Sequence, residues 1–269
     1  VMLSVATYQF SLRHDEQRQL EQFDDQAHDH ALRLQSSLDQ VLAVLTTTQG
    51  LFNASDTVSR KEFGMRVAPA LAHHPEIVAI NWAPRIAADR RSAFEQALRE
   101  EGIGNLGIYD VLADARLAHR AEPRDEYFPV MFSEPLNRNR SAIGIDPYSR
   151  PQNRAAMQAA MSSGKQWSTP PFPLIQDPQG PLAVAIYQPV FHLDRPLATP
   201  EERKTALRGF VILLLQPGLT MEAALIKPSS LGIDTRLLDA GPQPVLIKHL
   251  PSRLAGNRVA PNEHLHGEY

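Results

Sequence analysis

Residues 141–176 read SAIGIDPYSRPQNRAAMQAAMSSGKQWSTPPFPLIQ, and the order of signals in them decides the fold class. An apolar triplet, Ile143, Gly144 and Ile145, ends at Asp146. A helix over RPQNRAAMQAAMSSGK follows, with Ser149 placed to cap its start and Gly164 to end it, and QWSTPPFPLI then reads as a strand. Asp before Pro is a common turn signal, so the local reading makes Asp146 a turn former. The other reading has the carboxylate pointing into a pocket and holding a ligand.

Towards the N-terminus, His14 to Phe52 contain no Pro and one Gly, Gly50. Leu20, Phe23, Ala27, Leu34, Leu38, Val41 and Leu45 step by threes, fours or their sum, which predicts one long helix. Its stripe is narrow and interrupted by His30 and Ser37. It suits a stalk or dimer seam, or a surface helix packed on its own domain. The opening VMLSVATYQFSL is too short to cross a bilayer and reads either as the outer end of a membrane span or as an apolar helix start. Ser59 is placed to cap a second helix carrying Phe63, Val67 and Leu71. PEIVAINWAPRI then reads as a strand that is apolar on both faces, and ADRRSAFEQALREEG as a helix with Phe94 and Leu98 on one side and Gly102 beyond its end. NLGIYDVL is a strand, and RDEYFPVMFSEPL a strand broken by Pro129.

Towards the C-terminus, PLAVAIYQPVF and RGFVILLLQ are strands. After HLDRPLATPEERKTALRG come a helix, PGLTMEAALI, and two strands, IDTRLLDA and QPVLIKHL, able to complete a small sheet with RGFVILLLQ. PNEHLHGEY reads as a loosely held end or the lead-in to a further segment. Hairpin-like succession with helices on one side predicts an α+β fold with antiparallel sheets, without the strict alternation of a doubly wound fold.

The 269 residues carry 27 Lys and Arg against 30 Asp and Glu, a net charge of −3, with no basic run to follow a phosphate backbone. Nucleic acid is not an expected partner. Cysteine is absent, which removes disulfides, thiolate metal sites and a cysteine nucleophile. GIGNLG (Gly102, Gly104, Gly107) matches a dinucleotide fingerprint in letters only: it ends a helix and begins a strand, the reverse of what a pyrophosphate needs. His28 and His30 lie two apart on a helix, His73 and His74 are adjacent, and His264 and His266 lack an obvious third ligand, so no metal site is expected. Asp125 and Glu126, as neighbours on a strand, point to opposite faces and do not converge as an acid/base pair. No catalytic residue and no cofactor is expected.

Taken together, HHPEIVAINWAPRI, AFEQALREEG, RDEYFPVMFSEPLNRN, GIDPYSRPQNRAAMQAAMSSGK, STPPFPLIQ and AIYQPVF resemble, in order from about Phe63 to Phe191, the CHASE family. These are extracytoplasmic sensor domains of receptor histidine kinases and nucleotide cyclases, the plant cytokinin receptors among them. The resemblance implies a stalk helix (1–55), a membrane-distal PAS-like ligand-binding domain (56–192) and a membrane-proximal PAS-like domain (193–269). In the cytokinin receptors an aspartate before the helix orients an adenine ring and a backbone position in the following strand pairs with it. Those positions fall on Asp146 and Ser168, with walls at Met131, Phe132, Trp167, Leu174, Ile186 and Gln188. The chain departs from the plant receptors at Gln188, where they have an aromatic residue, and in the extra proline of TPPF. The implied function is the periplasmic input domain of a membrane-anchored bacterial receptor. The expected receptor is a sensor histidine kinase, dimeric through the stalk helix, binding a small ligand such as an N6-substituted adenine. The alternatives are the input domain of a diguanylate cyclase or phosphodiesterase, or a structural dimerisation module without a ligand.

Overall fold

Helix α1 runs unbroken from Met2 to Ala54. At 1.5 Å per residue it extends about 80 Å. The computed structural model describes residues 2–111, 118–174, 177–225, 233–241 and 243–251. The side chains of the opening segment and Leu20, and the C-terminal tail with His264 and His266, lie outside the described residues. Among the described residues no helix is long and apolar enough to cross a membrane.

The second helix, α2 (Arg60–His73), starts at Ser59, whose side chain accepts from the Glu62 N–H while Glu62 reaches back to the Ser59 N–H. The strand β1 (Ile77–Pro84) and the two-residue β2 (Ile86–Ala87) follow, then α3 (Arg91–Glu101). Gly102 closes α3 at φ +63°, so GIGNLG is a helix end and turn, as its order in the sequence predicts. Next come β3 (Tyr109–Val111), β4 (Ala118–Arg120), β5 (Glu126–Tyr127) and β6 (Phe132–Glu134), the last two being the halves of the strand that Pro129 divides. A short α4 (Leu136–Asn139) leads to β7 (Ile145–Asp146), a 3₁₀ turn over Pro147–Ser149, α5 (Pro151–Ser163) and β8 (Trp167–Ser168). The remaining elements are β9 (Val184–Phe191), α6 (Pro200–Ala206), β10 (Leu207–Leu215), α7 (Pro217–Leu225), β11 (Thr235–Leu238) and β12 (Leu246–Leu250).

The main sheet has five antiparallel strands in the order β6-β1-β10-β9-β8, and β11 and β12 pair as a separate two-stranded sheet. The fold is mixed helix and antiparallel sheet behind a long N-terminal helix. Three sequence expectations are corrected here, and one element is added. The strand RGFVILLLQ does not share a small sheet with IDTRLLDA and QPVLIKHL; β10 lies between β1 and β9 in the five-stranded sheet, its apolar run buried on both faces. The HLDRPLATPEERKTALRG segment, for which the sequence predicts no element, contains a helix, α6, with a Thr199/Glu202 capping box. QWSTPPFPLI pairs only at Trp167, Ser168 and a single bridge at Phe172, since its prolines cannot donate to a ladder. Ser149 does not cap α5. Arg150 occupies that position without a side-chain bond, and the Ser149 hydroxyl instead donates to the Asp146 carbonyl.

The sheet separates two cores. On one face Val41, Val44, Leu45 and Phe52 of α1 and Phe63 and Val67 of α2 pack against Ile80, Trp82, Phe132, Ile186, Val190, Val211 and Leu213. Phe52 stacks on Trp82 at 3.9 Å between ring centroids. On the other face Ala156, Met157 and Ala160 of α5 pack against Ala83, Ala185, Tyr187, Phe210 and Ile212. The alternation along β9 therefore sends Ile186 towards the stalk helix and Tyr187 away from it.

Candidate functional site

Asp146 sits at the end of β7, and β7 pairs in parallel with β3 so that Asp110 and Asp146 lie side by side. Two adjacent carboxylates on one face repel unless a cation joins them. Arg124 is that cation. It donates to both oxygens of Asp110 (2.8 and 2.7 Å) and, through Nη2, to Asp146 Oδ2 at 2.5 Å. The Phe128 N–H (3.1 Å) and the Tyr148 N–H (2.9 Å) complete the donors on Asp146, whose side chain is fully buried. The last of these is an Asx-type bond closing the turn after β7, so Asp146 is a turn former and a buried charge at once. Burial pushes the Asp146 carboxyl up from its ordinary value, and Arg124 and the two backbone N–H groups pull against that. Burial likewise works against the Arg124 charge, but its hydrogen bonds to Asp110 and Asp146 outweigh it and hold the guanidinium protonated.

Arg124 is itself held in place. Its guanidinium lies 4.6 Å from the centroid of the Tyr127 ring, and the Tyr127 hydroxyl accepts from the Arg124 N–H at 3.0 Å. Arg91 lies 4.9 Å from the centroid of the same ring, donates to the Tyr127 hydroxyl at 3.0 Å and also donates to Glu95. Glu95 also accepts from Arg120 and from the Ile108 N–H. The charges alternate along the chain from Asp146 through Arg124 and Asp110 and, beyond Tyr127, through Arg91 and Glu95 to Arg120.

Aromatic rings enclose the Asp146 side of the sheet. Phe128 packs on Tyr148 (5.1 Å) and on Phe210 (5.4 Å), Tyr187 meets Phe210 edge to face, and the Arg150 guanidinium lies over Phe172 at 5.8 Å. Tyr187 is buried, and burial, then the Asp146 charge, push its hydroxyl pKa up. Planar walls with a few convergent polar groups are the usual make-up of a small-molecule site.

The sequence-derived site residues fall in different places. Ser168 lies on β8, the edge strand, opposite Ile186, and Trp167, opposite Tyr187, is half-exposed. An edge strand leaves one side of its peptide groups outside the ladder. Leu174 is buried in the segment after the Phe172 bridge, and Met131 packs against the core under α1 and α2 and against a further apolar cluster of Phe94, Leu98, Ile108, Tyr127 and Ile143. Phe132 and Ile186 do not join Asp146: they belong to the core under α1 and α2, and Gln188, two residues on from Ile186, shares that side. Glu126 pairs with Arg85, away from Asp125, whose carbonyl accepts from the Ala88 N–H. Sequence reasoning missed Arg124 and Asp110. The only local signal was an arginine opening RDEYF, and the parallel register that brings Asp110 to Asp146 has no signature in either segment alone.

A family model for the CHASE domain matches residues 56–247. Probable histidine kinase 5 of Oryza sativa subsp. japonica is 26% identical over 209 residues, covering 72% of this chain and 17% of that protein. Histidine kinase 3 of Arabidopsis thaliana is 24% identical over 226 residues, covering 78% of this chain and 21% of that protein. The chain thus spans only 17% and 21% of the lengths of these two kinases. Among solved structures, the ligand-binding domain of the Pseudomonas aeruginosa PAO1 amino acid chemoreceptor PctC in complex with GABA is 14% identical, with a TM-score of 0.43, covering 82% of this chain and 70% of that one. With the family model running from the start of α2 through the central sheet to β12, the chain belongs to the CHASE domain family of extracytoplasmic sensor domains.

Proposed function

We propose that this chain is the ligand-sensing segment of a bacterial transmembrane receptor, a sensor histidine kinase anchored in the inner membrane and sensing in the periplasm. Its ligand is a small molecule of the N6-substituted adenine type. The observation that carries this reading is Asp146, a fully buried carboxylate beside aromatic rings on the sheet face away from the stalk. Three protein donors reach it, and a carboxylate has about four acceptor positions, so one is left for a ligand N–H. The proposed site joins Asp146 and the backbone at Ser168 with Trp167, Met131, Leu174 and the rings of Phe128, Tyr148 and Tyr187.

Transmission would run through the sheet into α1. Arg208 on β10 donates to the carbonyls of Phe52 (2.5 Å), Asp56 (3.0 Å) and Ser55 (3.2 Å) at the end of α1, and Gln49 donates to the Pro189 carbonyl at 2.7 Å. A ligand that prefers one arrangement of β9 and β10 then biases the position of α1, which we assign as the dimer element.

Titration calorimetry with N6-benzyladenine tests the site. The parent should bind, and Asp146→Asn should bind at least tenfold more weakly, the effect of about 1.4 kcal/mol expected for one hydrogen bond to a charged group. Unchanged affinity in the variant would remove Asp146 from the site. A second reading is favoured by the same geometry: with most of its acceptor capacity filled internally, Asp146 can close the fold without any ligand, as in a purely structural dimerisation module. That reading predicts no thermal shift with any adenine derivative.

A further inference from the structure

We infer that Asn153 is a ligand-binding residue, its carboxamide reading a donor–acceptor pair on the edge of the ligand. This rests on the adenine-type reading and adds a residue to it that the sequence did not single out. Asn153 lies in the first turn of α5 on the face that carries Ala156, Met157 and Ala160 into the apolar cluster with Tyr187, and it is 7% exposed. Its Oδ1 is buried without a hydrogen-bond partner.

A buried carboxamide oxygen without a partner is costly, and the same helix face accommodates apolar side chains one turn later, at Ala156 and Met157. An Asn is the wrong residue for packing there. It is the right one for a ligand that supplies both an N–H and an acceptor. The pairing of an asparagine amide with adenine, Oδ1 accepting from the exocyclic N–H and Nδ2 donating to the neighbouring ring nitrogen, is geometrically matched. A neighbouring feature suits the same occupant: the Arg150 guanidinium, three residues earlier, lies over the Phe172 ring at 5.8 Å. Asp146 then supplies a single acceptor position, and Asn153 supplies the two-point recognition that distinguishes one ring edge from another.

The test uses Asn153→Leu, which keeps the side-chain size and removes both polar atoms, with N6-benzyladenine and N6,N6-dimethyladenine as probes. The inference expects three results together: the ligand-free variant melts higher than the parent, N6-benzyladenine binds it at least tenfold more weakly, and N6,N6-dimethyladenine, which lacks the exocyclic N–H, binds the parent weakly. A variant that melts lower than the parent makes Asn153 a structural residue and overturns the inference. Unchanged N6-benzyladenine affinity overturns it while the adenine-type reading stands. A parent that binds neither purine overturns both.

Discussion

Removing the Asp146 carboxylate should cost more stability than any other single change on this side of the sheet. Asp146→Ala takes away one partner of a buried ion pair, which costs about 3 to 5 kcal/mol when the other charge is stranded. Arg124 is not stranded, because it keeps both bonds to Asp110 and its side chain is 26% exposed, so the lower end of about 3 kcal/mol applies. The Phe128 and Tyr148 N–H groups also lose their acceptor, at about 1 kcal/mol each. The sum is about 5 kcal/mol, a large part of the 5 to 15 kcal/mol that a domain has in total. Asp146→Asn keeps the volume and one acceptor oxygen and should cost about 3 kcal/mol. Urea unfolding followed by far-UV circular dichroism reads both. With a slope near 3 kcal/mol/M, the alanine variant should unfold about 1.7 M earlier with the slope unchanged. Combined with Arg124→Met, the double variant should fall short of the sum of the single ones by about 2 kcal/mol. An Asp146→Ala variant within about 1 kcal/mol of the parent, or a coupling near zero, would mean that the carboxylate is not buried against Arg124.

Three further perturbations follow from the same contacts. Gly144 has φ +88° and an added Cβ would lie 2.4 Å from the Gly107 carbonyl oxygen, so Gly144→Ala should cost about 3 kcal/mol or more, read as a lower melting temperature. Glu95 has its pKa lowered: burial acts to raise it, and the bonds from Arg91, the Ile108 N–H and Arg120 outweigh that. Because the unfolded carboxyl takes up its proton at higher pH than the folded one, Glu95 stabilises above the ordinary glutamate range and that contribution is lost as pH falls through the folded value. Glu95→Gln should therefore be about 2 kcal/mol less stable than the parent at neutral pH, with the gap narrowing only as pH falls below the ordinary glutamate range in a pH series of urea midpoints. Ile186→Ala should cost about 2 to 4 kcal/mol because it opens the core under α1, yet leave ligand affinity unchanged, since Ile186 faces away from Asp146; a matching loss of affinity in calorimetry would place Ile186 in the pocket.

The elements were legible wherever a local rule decides them. The Ser59 capping box, the Gly102 and Gly164 helix ends, the doubly apolar β1 and the break at Pro129 each follow from residues within a few positions of one another. What was not legible is pairing across the chain. RGFVILLLQ reads as a strand in any context, but its place between β1 and β9 depends on partners over a hundred residues apart in one case, and its neighbours in sequence suggested the wrong sheet. The site divides in the same way. Asp146 stands out through its Pro and the family resemblance, whereas Arg124 and Asp110 acquire meaning only through the parallel β3–β7 register. Phe132, Ile186 and Gln188 were grouped with Asp146 because motif order carries no information about which face of a strand a residue takes.

Under the proposed function, that division of faces would give the sheet a role in transmission. Along β9, Ala185 and Tyr187 belong to the Asp146 side, and Ile186 and Val190 to the core under the stalk helix. Interiors this closely packed do not absorb a displacement on one face without moving the other. A ligand that moves the Tyr187 ring must therefore shift the strand that holds Ile186 against Val41 and Leu45, and the Gln49 bond to Pro189 and the three Arg208 bonds carry the same displacement to the end of α1. Arg208→Met removes the three charged bonds while keeping much of the side-chain length, so it should leave N6-benzyladenine affinity within about twofold. The same variant should weaken the ligand-dependent change in α1 that the proposed function requires, followed as a spin-label distance from an exposed α1 position such as Glu21 to the exposed α3 residue Glu100 in the same chain. An Arg208→Met variant whose α1 distance responds to ligand as the parent does would show that the sheet and the helix are coupled by the apolar core alone.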